Sequence, residues 1–235
     1  MNYRCPLCRY VKNVNARFPL ATAAALLADP ARASMLMALV DGRALAAGEL
    51  ARAANVSAQS ASMHLSQLLD GGFVQVAQEG RHRYYRIASP EVAHAIEALG
   101  AISTPRKRKP IGEDDAICYA RTCYDHLAGQ LAVRLAEGFE RSGILLAEPG
   151  REYEVTPRGE QFLAGWQINI TALRGIRRSF ARRCLDWTER RDHIAGALGA
   201  AIYHKLIEFR WIVRDPHSRL VRVTSAGSRH LASFL

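Results

Sequence analysis

The spacing of apolar and polar positions changes several times along the 235-residue chain, and the changes lay out its elements. Leu20 to Ala28 is a nearly unbroken run of Ala and Leu that predicts a helix. Asp29 and Pro30 then supply an N-cap and the residue best tolerated at a first helical position, opening a helix that ends at Gly42. Leu50 and Ala54 stripe a further helix. Asn55 and Val56 make a turn, and Ser57 is placed to cap another helix. On that helix Ala58, Ala61, Leu65, Leu68 and Leu69 fall on the core face. Gln59, Ser60, Ser62, Met63, His64 and Gln67 lie on or beside the other face. This second face is short, uncharged and rich in hydrogen-bonding groups, where a solvated helix usually carries Glu and Lys. Gly71 and Gly72 stop the helix. The period then drops to two: FVQVAQ and RHRYYRI alternate around Glu79-Gly80, a hairpin turn signal. Ser89-Pro90 opens one more helix, EVAHAIEALGAI.

Helix, turn, helix and basic hairpin in that order describe a winged helix. The stretch VSAQSASMHLSQLLDGGFV followed by EGRHRYYRI resembles the ArsR family of bacterial repressors, and the fit spans roughly Ala21 to Gly100. The resemblance implies that the helix opened by Ser57 enters a DNA major groove while the hairpin touches the flanking backbone. The expected DNA-facing set is Ser57, Gln59, Ser60, Ser62, Met63, His64 and Gln67, with Arg81 and Arg83 on phosphates. Met63 and Ser66 depart from basic residues common at their places, which shifts phosphate contact toward the hairpin arginines. The resemblance also implies a homodimer, and two recognition helices one turn apart read a palindrome. Family members sense metals through a Cys-x-Cys pair on the helix written here as GELARAA, where it is absent. They also sense through the last helix, where Glu91, His94 and Glu97 form an incomplete set. A sensor is therefore expected in the second half.

That half repeats itself. Asp125-His126-Leu127-Ala128-Gly129 matches Asp192-His193-Ile194-Ala195-Gly196, SGILL matches FRWIV, and YEVTPRGEQFL matches VRVTSAGSRHL. Each copy predicts an apolar helix, a strand, a turn, a second strand, and a Thr that caps a closing helix. Between the copies, Asn169 to Arg183 is expected as a basic helical connector. Cys123 and His126 open the first copy; Cys184 precedes His193 in the second. If the copies pack symmetrically, Cys123, His126, Cys184 and His193 converge on a tetrahedral set for zinc or another thiophilic metal ion. Asp125 and Asp192 would then orient the histidines. Three readings stay open: a metal site, a pair of redox thiols, or a structural Asp-His signature beside a pocket for a small organic effector, with Tyr119, Tyr124, Trp166, Trp187 and Trp211 as its lining.

Charge narrows the partner. The net charge is +10, and residues 1–110 carry 14 Lys and Arg against 7 Asp and Glu, so the first half is the expected polyanion surface. No run of 18 apolar residues and no signal peptide is present, so no membrane association and a cytoplasmic protein are expected. Five cysteines in that setting favour thiols or ligands over disulfides. Cys5 and Cys8 form one CxxC pair without a second.

The resulting expectation is a mainly α chain with small β hairpins, of the α+β class. It comprises an extension (1–19), a winged helix-turn-helix DNA-binding and dimerisation domain (20–102) and a basic linker (103–115). A C-terminal effector domain (116–235) completes it, with repeats 119–165 and 182–235 as two winged-helix-like lobes. The expected function is a dimeric repressor, binding an operator in double-stranded DNA, whose C-terminal domain senses a metal, a redox signal or a small molecule. Alternatives are an architectural DNA binder without effector and a DNA-binding domain fused to an enzyme. No nucleophile elbow, P-loop or Gly-rich dinucleotide motif supports the enzyme.

Overall fold

The computed structural model describes residues 20–80, 82–103, 113–147 and 149–235. Cys5, Cys8, Arg81 and the basic run 106–109 lie outside them. The chain divides into two compact units, one formed by residues up to Leu39 together with Arg43–Ser89, the other by Val40–Gly42 and Pro90–Leu235.

In the first unit α1 (Leu20–Ala28) and α2 (Pro30–Leu39) precede a short strand β1 (Leu45–Ala46), then α3 (Ala47–Ala54) and α4 (Ala58–Asp70). Strands β2 (Val74–Glu79) and β3 (His82–Ile87) come next. Asp29 opens α2 as expected, its Oδ1 accepting from the backbone of Ala31 and Arg32. Asn55 takes the left-handed conformation at φ 53° between α3 and α4. Leu36 and Leu39 of α2, Leu50 of α3, and Leu65 and Leu68 of α4 are buried together beneath the sheet residues Val74, Tyr85 and Ile87. Ala58, expected on this core face, is exposed, whereas Ala61, three residues on, is buried. The sheet order is β1-β3-β2, with Val74 opposite Ile87 and Glu79 opposite His82. This is a winged helix-turn-helix; β1 is not legible in the sequence, since two residues are too few to show alternation.

The second unit begins with α5 (Pro90–Ile102) and α6 (Glu113–Tyr119). The order strand, strand, helix, strand, strand, helix then occurs twice. The first run is β4 (Arg121–Cys123), β5 (His126–Ala128), α7 (Gln130–Arg141), β6 (Leu145–Ala147), β7 (Tyr153–Val155) and α8 (Pro157–Gly165). The connector between runs holds only the five-residue helix α9 (Ile170–Arg174); turns replace the expected helix from Gly175 onward. The second run is β8 (Arg183–Leu185), β9 (Asp192–Ile194), α10 (Gly196–Glu208), β10 (Ile212–Arg214), β11 (Val221–Val223) and α11 (Ser225–Leu231). Each run thus has a leading hairpin that periodicity does not reveal. Thr156 and Thr224 cap the closing helices, accepting from Gly159 and Gly227.

The two runs are not separate lobes with separate cores. Helix α7 packs on β9 and α10 packs on β5, so each long helix covers the leading hairpin of the other run. Leu131, Leu135 and Phe139 of α7 share one apolar cluster with Leu198, Ile202 and Leu206 of α10. Backbone bridges Arg121–Leu220 and Glu152–Arg182 repeat the exchange at the hairpins. Trp166 and Trp211 meet edge to face within an aromatic group that includes Phe139 and Phe234. They are core residues rather than the lining of an effector pocket. Trp187 lies under the Arg121 guanidinium at 4.4 Å.

Candidate functional site

The polar face of α4 is partly consumed by its own architecture. Ser57 Oγ accepts from the Ser60 backbone N–H at 3.1 Å and donates to Ser60 Oγ at 3.1 Å, so both hydroxyls serve the cap. His64 is half-buried and turns its Nδ1 toward Asp29 Oδ1 at 3.8 Å. Gln67 Oε1 accepts from Arg32 Nη1 at 2.5 Å, an anchoring arginine that helical spacing does not single out. Gln59, Ser62 and Met63 remain exposed on one edge of the helix, Met63 by 54%. Arg83 is exposed on β3 opposite Gln78, and Arg86 bonds Gln75.

In the second unit, cross-strand register places Cys123 opposite His126 on β4–β5 and Cys184 opposite His193 on β8–β9. The crossed helices press the two hairpins together. One ligand atom from each of the four residues then lies within 4.8 Å of every other. None of the four exposes more than 5% of its surface. Ala128 and Ala195, matched positions of the two runs, complete the small buried group around both cysteines.

The histidines face each other, Nε2 to Nε2, at 3.2 Å. Two nitrogens on a tetrahedral zinc, each at about 2.0–2.1 Å, are separated by about 3.3 Å, so this spacing matches one edge of such a site. Two thiols and two imidazoles are a donor set for zinc and softer ions. Asp125 Oδ1 contacts His126 Nδ1 at 3.2 Å, and its Oδ2 accepts from Arg178 at 2.6 Å. Burial pushes this carboxyl up, but hydrogen bonds from His126 and Arg178 prevail and hold it down to about 2. Asp192 does not take the corresponding place: it pairs with Arg183 at 2.8 Å. Asp186 stands there instead, its Oδ2 3.6 Å from His193 Nδ1. The longer loop of the second hairpin brings Asp186 inward.

Two members of the cluster, Cys123 and His126, hold their protons tightly. Cys184 as hydrogen-bond partner and burial push the Cys123 thiol up to about 12. Burial opposes the charged ring of His126, yet Cys123 and Asp125 outweigh it and raise its pKa to about 9. A thiol so buried and so weakly acidic is a poor nucleophile, which weighs against a redox role.

A helix-turn-helix domain model matches residues 27–77. The chain is 44% identical over 211 residues to an uncharacterised HTH-type transcriptional regulator, YdfF, of Bacillus subtilis, covering 88% of this chain and 93% of that protein. It is 34% identical over 70 residues to a probable mercury resistance operon repressor of Streptomyces lividans, covering 30% of this chain and 55% of that one. Among solved structures, a homodimeric winged helix-turn-helix domain from Mycobacterium bovis, described as a possible ArsR-family regulator, matches with 27% identity and a TM-score of 0.33. The match covers 42% of this chain and 86% of that one. No helix among the described residues is long and apolar enough to cross a membrane.

Proposed function

The chain belongs to the HTH-type transcriptional regulators, with a winged helix of the ArsR type, and from that premise we propose that a thiophilic metal ion bound in its second unit sets its affinity for an operator. The carrying observation is the convergence of Cys123, His126, Cys184 and His193 from two hairpins that are 61 positions apart in the sequence, counted from Cys123 to Cys184. Cys123 and Cys184 would hold the ion as thiolates, His126 and His193 through imidazole nitrogens. Bound there, it supplies a bond between the two runs that neither hairpin makes alone. One similar protein is named for mercury resistance, which supports a response to a soft metal.

Gln59, Ser62 and Met63 are the side chains we assign to base edges, with Arg83 on phosphate. A dimer presents two copies of that edge to a palindrome. Helix α5 continues from the β3 strand of the wing through Ser89 and Pro90 and lies against the cluster, the His94 and His126 rings being 6.3 Å apart. The ion acts on DNA only as far as it binds the two arrangements of the dimer unequally.

Elemental analysis of protein purified without chelator tests the site. One equivalent of zinc or a softer ion per chain, lost in both Cys123→Ser and His193→Ala, is the expected result. Stoichiometric metal retained in both variants removes these ligands from the assignment.

A further inference from the structure

A cavity of about 360 Å³ opens beside the cluster, within the second unit. Its wall includes His94, Ala98 and Ile102 of α5, Arg151 of the β6–β7 loop, and Arg182 and Cys184 at β8. Its size lies at the lower end of the ~300–1,000 Å³ typical of small-molecule sites.

The polar lining is unbalanced in charge. Arg183 shares its charge with Asp192 at 2.8 Å. The Arg151 and Arg182 guanidinium groups have no acidic partner among the described residues. Glu152, the acid between them in the fold, is committed to Ser179 and the Ala181 backbone. Two unmatched guanidiniums lining one cavity are candidate partners for a carboxylate or similar oxyanion. The lining also carries apolar side chains. Ile102 is 75% exposed and Leu185 41% exposed, both on the lining of this cavity. Large exposed apolar side chains beside a polar anchor mark a place where an apolar group is to be covered.

We propose that this cavity binds a small organic anion, its charged end on Arg151 and Arg182 and its apolar end against Ile102 and Leu185. The anion would touch β8, the strand that carries Cys184, so occupancy would also be felt by the cluster. Anion binding itself does not depend on the metal reading; only that coupling does.

The test uses the full chain and titration calorimetry with four probes: hexanoate, acetate, hexanamide and inorganic phosphate. Hexanoate is expected to bind saturably, and hexanamide and acetate at least tenfold more weakly, since one lacks the charge and the other the apolar end. Arg182→Gln is expected to weaken hexanoate at least tenfold with an unchanged circular dichroism spectrum. Ala98→Trp, which fills the cavity from an exposed helix position and leaves both arginines, is expected to abolish binding. Absence of saturable hexanoate binding, equal binding by Arg182→Gln, or phosphate binding as tightly as hexanoate would each overturn the proposal. The metal content of the same samples reports on the cluster separately, so failure of one reading is distinguishable from failure of the other.

Discussion

Arg121 donates to Asp186 at 2.8 Å, and both side chains are fully buried. The pair joins the leading hairpin of one run to that of the other. Asp186 Oδ2 also accepts from the Gly129 backbone at 2.7 Å, and its Oδ1 accepts from Thr188 Oγ1 at 2.6 Å. Against the cost of burial, Arg121 and Thr188 hold this carboxyl well below the usual range. A carboxylate with a depressed pKa contributes stability that is present above its unfolded-state value and lost as pH falls through the folded one. This strut therefore persists down to strongly acid conditions.

Removing one member leaves a buried charge alone. Asp186→Ala is expected to cost about 3–5 kcal/mol in denaturant unfolding, because Arg121 keeps its charge without a partner. The double change Arg121→Met with Asp186→Leu is expected to recover most of that loss. Equal destabilisation by the single and double variants would show that the pair is not the strut.

Gly129 is the N-cap of α7 and Gly196 is the first residue of α10, with φ 89° and 77°. A Cβ on Gly129 would lie 2.7 Å from the Cys118 carbonyl oxygen, and one on Gly196 2.6 Å from that of Ser179. Either Gly→Ala change is expected to destabilise the second unit by at least roughly 1–3 kcal/mol from backbone conformation alone. Thermal unfolding of each variant checks it; an unchanged midpoint would mean the crossed packing tolerates a shift at these turns.

Legibility in the sequence tracks the length of each element. The winged helix can be read because α4 is 13 residues long with a clear apolar stripe, and β2 and β3 alternate over six residues each. The repeat can be read from matching residues, and with it the four residues that converge in the cluster. The leading hairpins cannot, since strands of three residues show no period. Asp186 escapes a sequence reading because its contacts with Arg121 and Gly129 span 65 and 57 positions. Analogy with Asp125 selects Asp192 instead, but the two hairpins have loops of different length. On α4, helical spacing puts Ser60 and His64 beside the polar face, but Ser60 is engaged in the Ser57 cap and His64 is half-buried with its Nδ1 3.8 Å from Asp29.

Metal affinity should depend on pH in one direction. Cys123 and His126 both hold protons at neutral pH, so the ion must displace them. Affinity is expected to rise with pH between 6 and 8, by about tenfold per unit for each proton released. Competition with a chromophoric chelator at several pH values measures it. A flat profile would mean that ligands other than these take the ion.

The DNA face makes a split prediction. Arg83→Ala should weaken binding to all duplexes and reduce the salt slope by about 1. Gln59→Ala should cost about 1–3 kcal/mol on the operator and little on unrelated DNA. Anisotropy titrations at several salt concentrations separate the two; if Gln59→Ala weakens both duplexes alike, α4 does not read bases through that residue.

The most direct measurement is the affinity of the full-length protein for its own promoter DNA, with zinc or cadmium bound and after chelation, in wild type and in Cys123→Ser. Metal control of operator binding predicts that the ion changes wild-type affinity by at least fivefold, corresponding to about 1 kcal/mol of coupling, and leaves Cys123→Ser unmoved. Identical operator affinity with and without a stoichiometrically bound ion would contradict it.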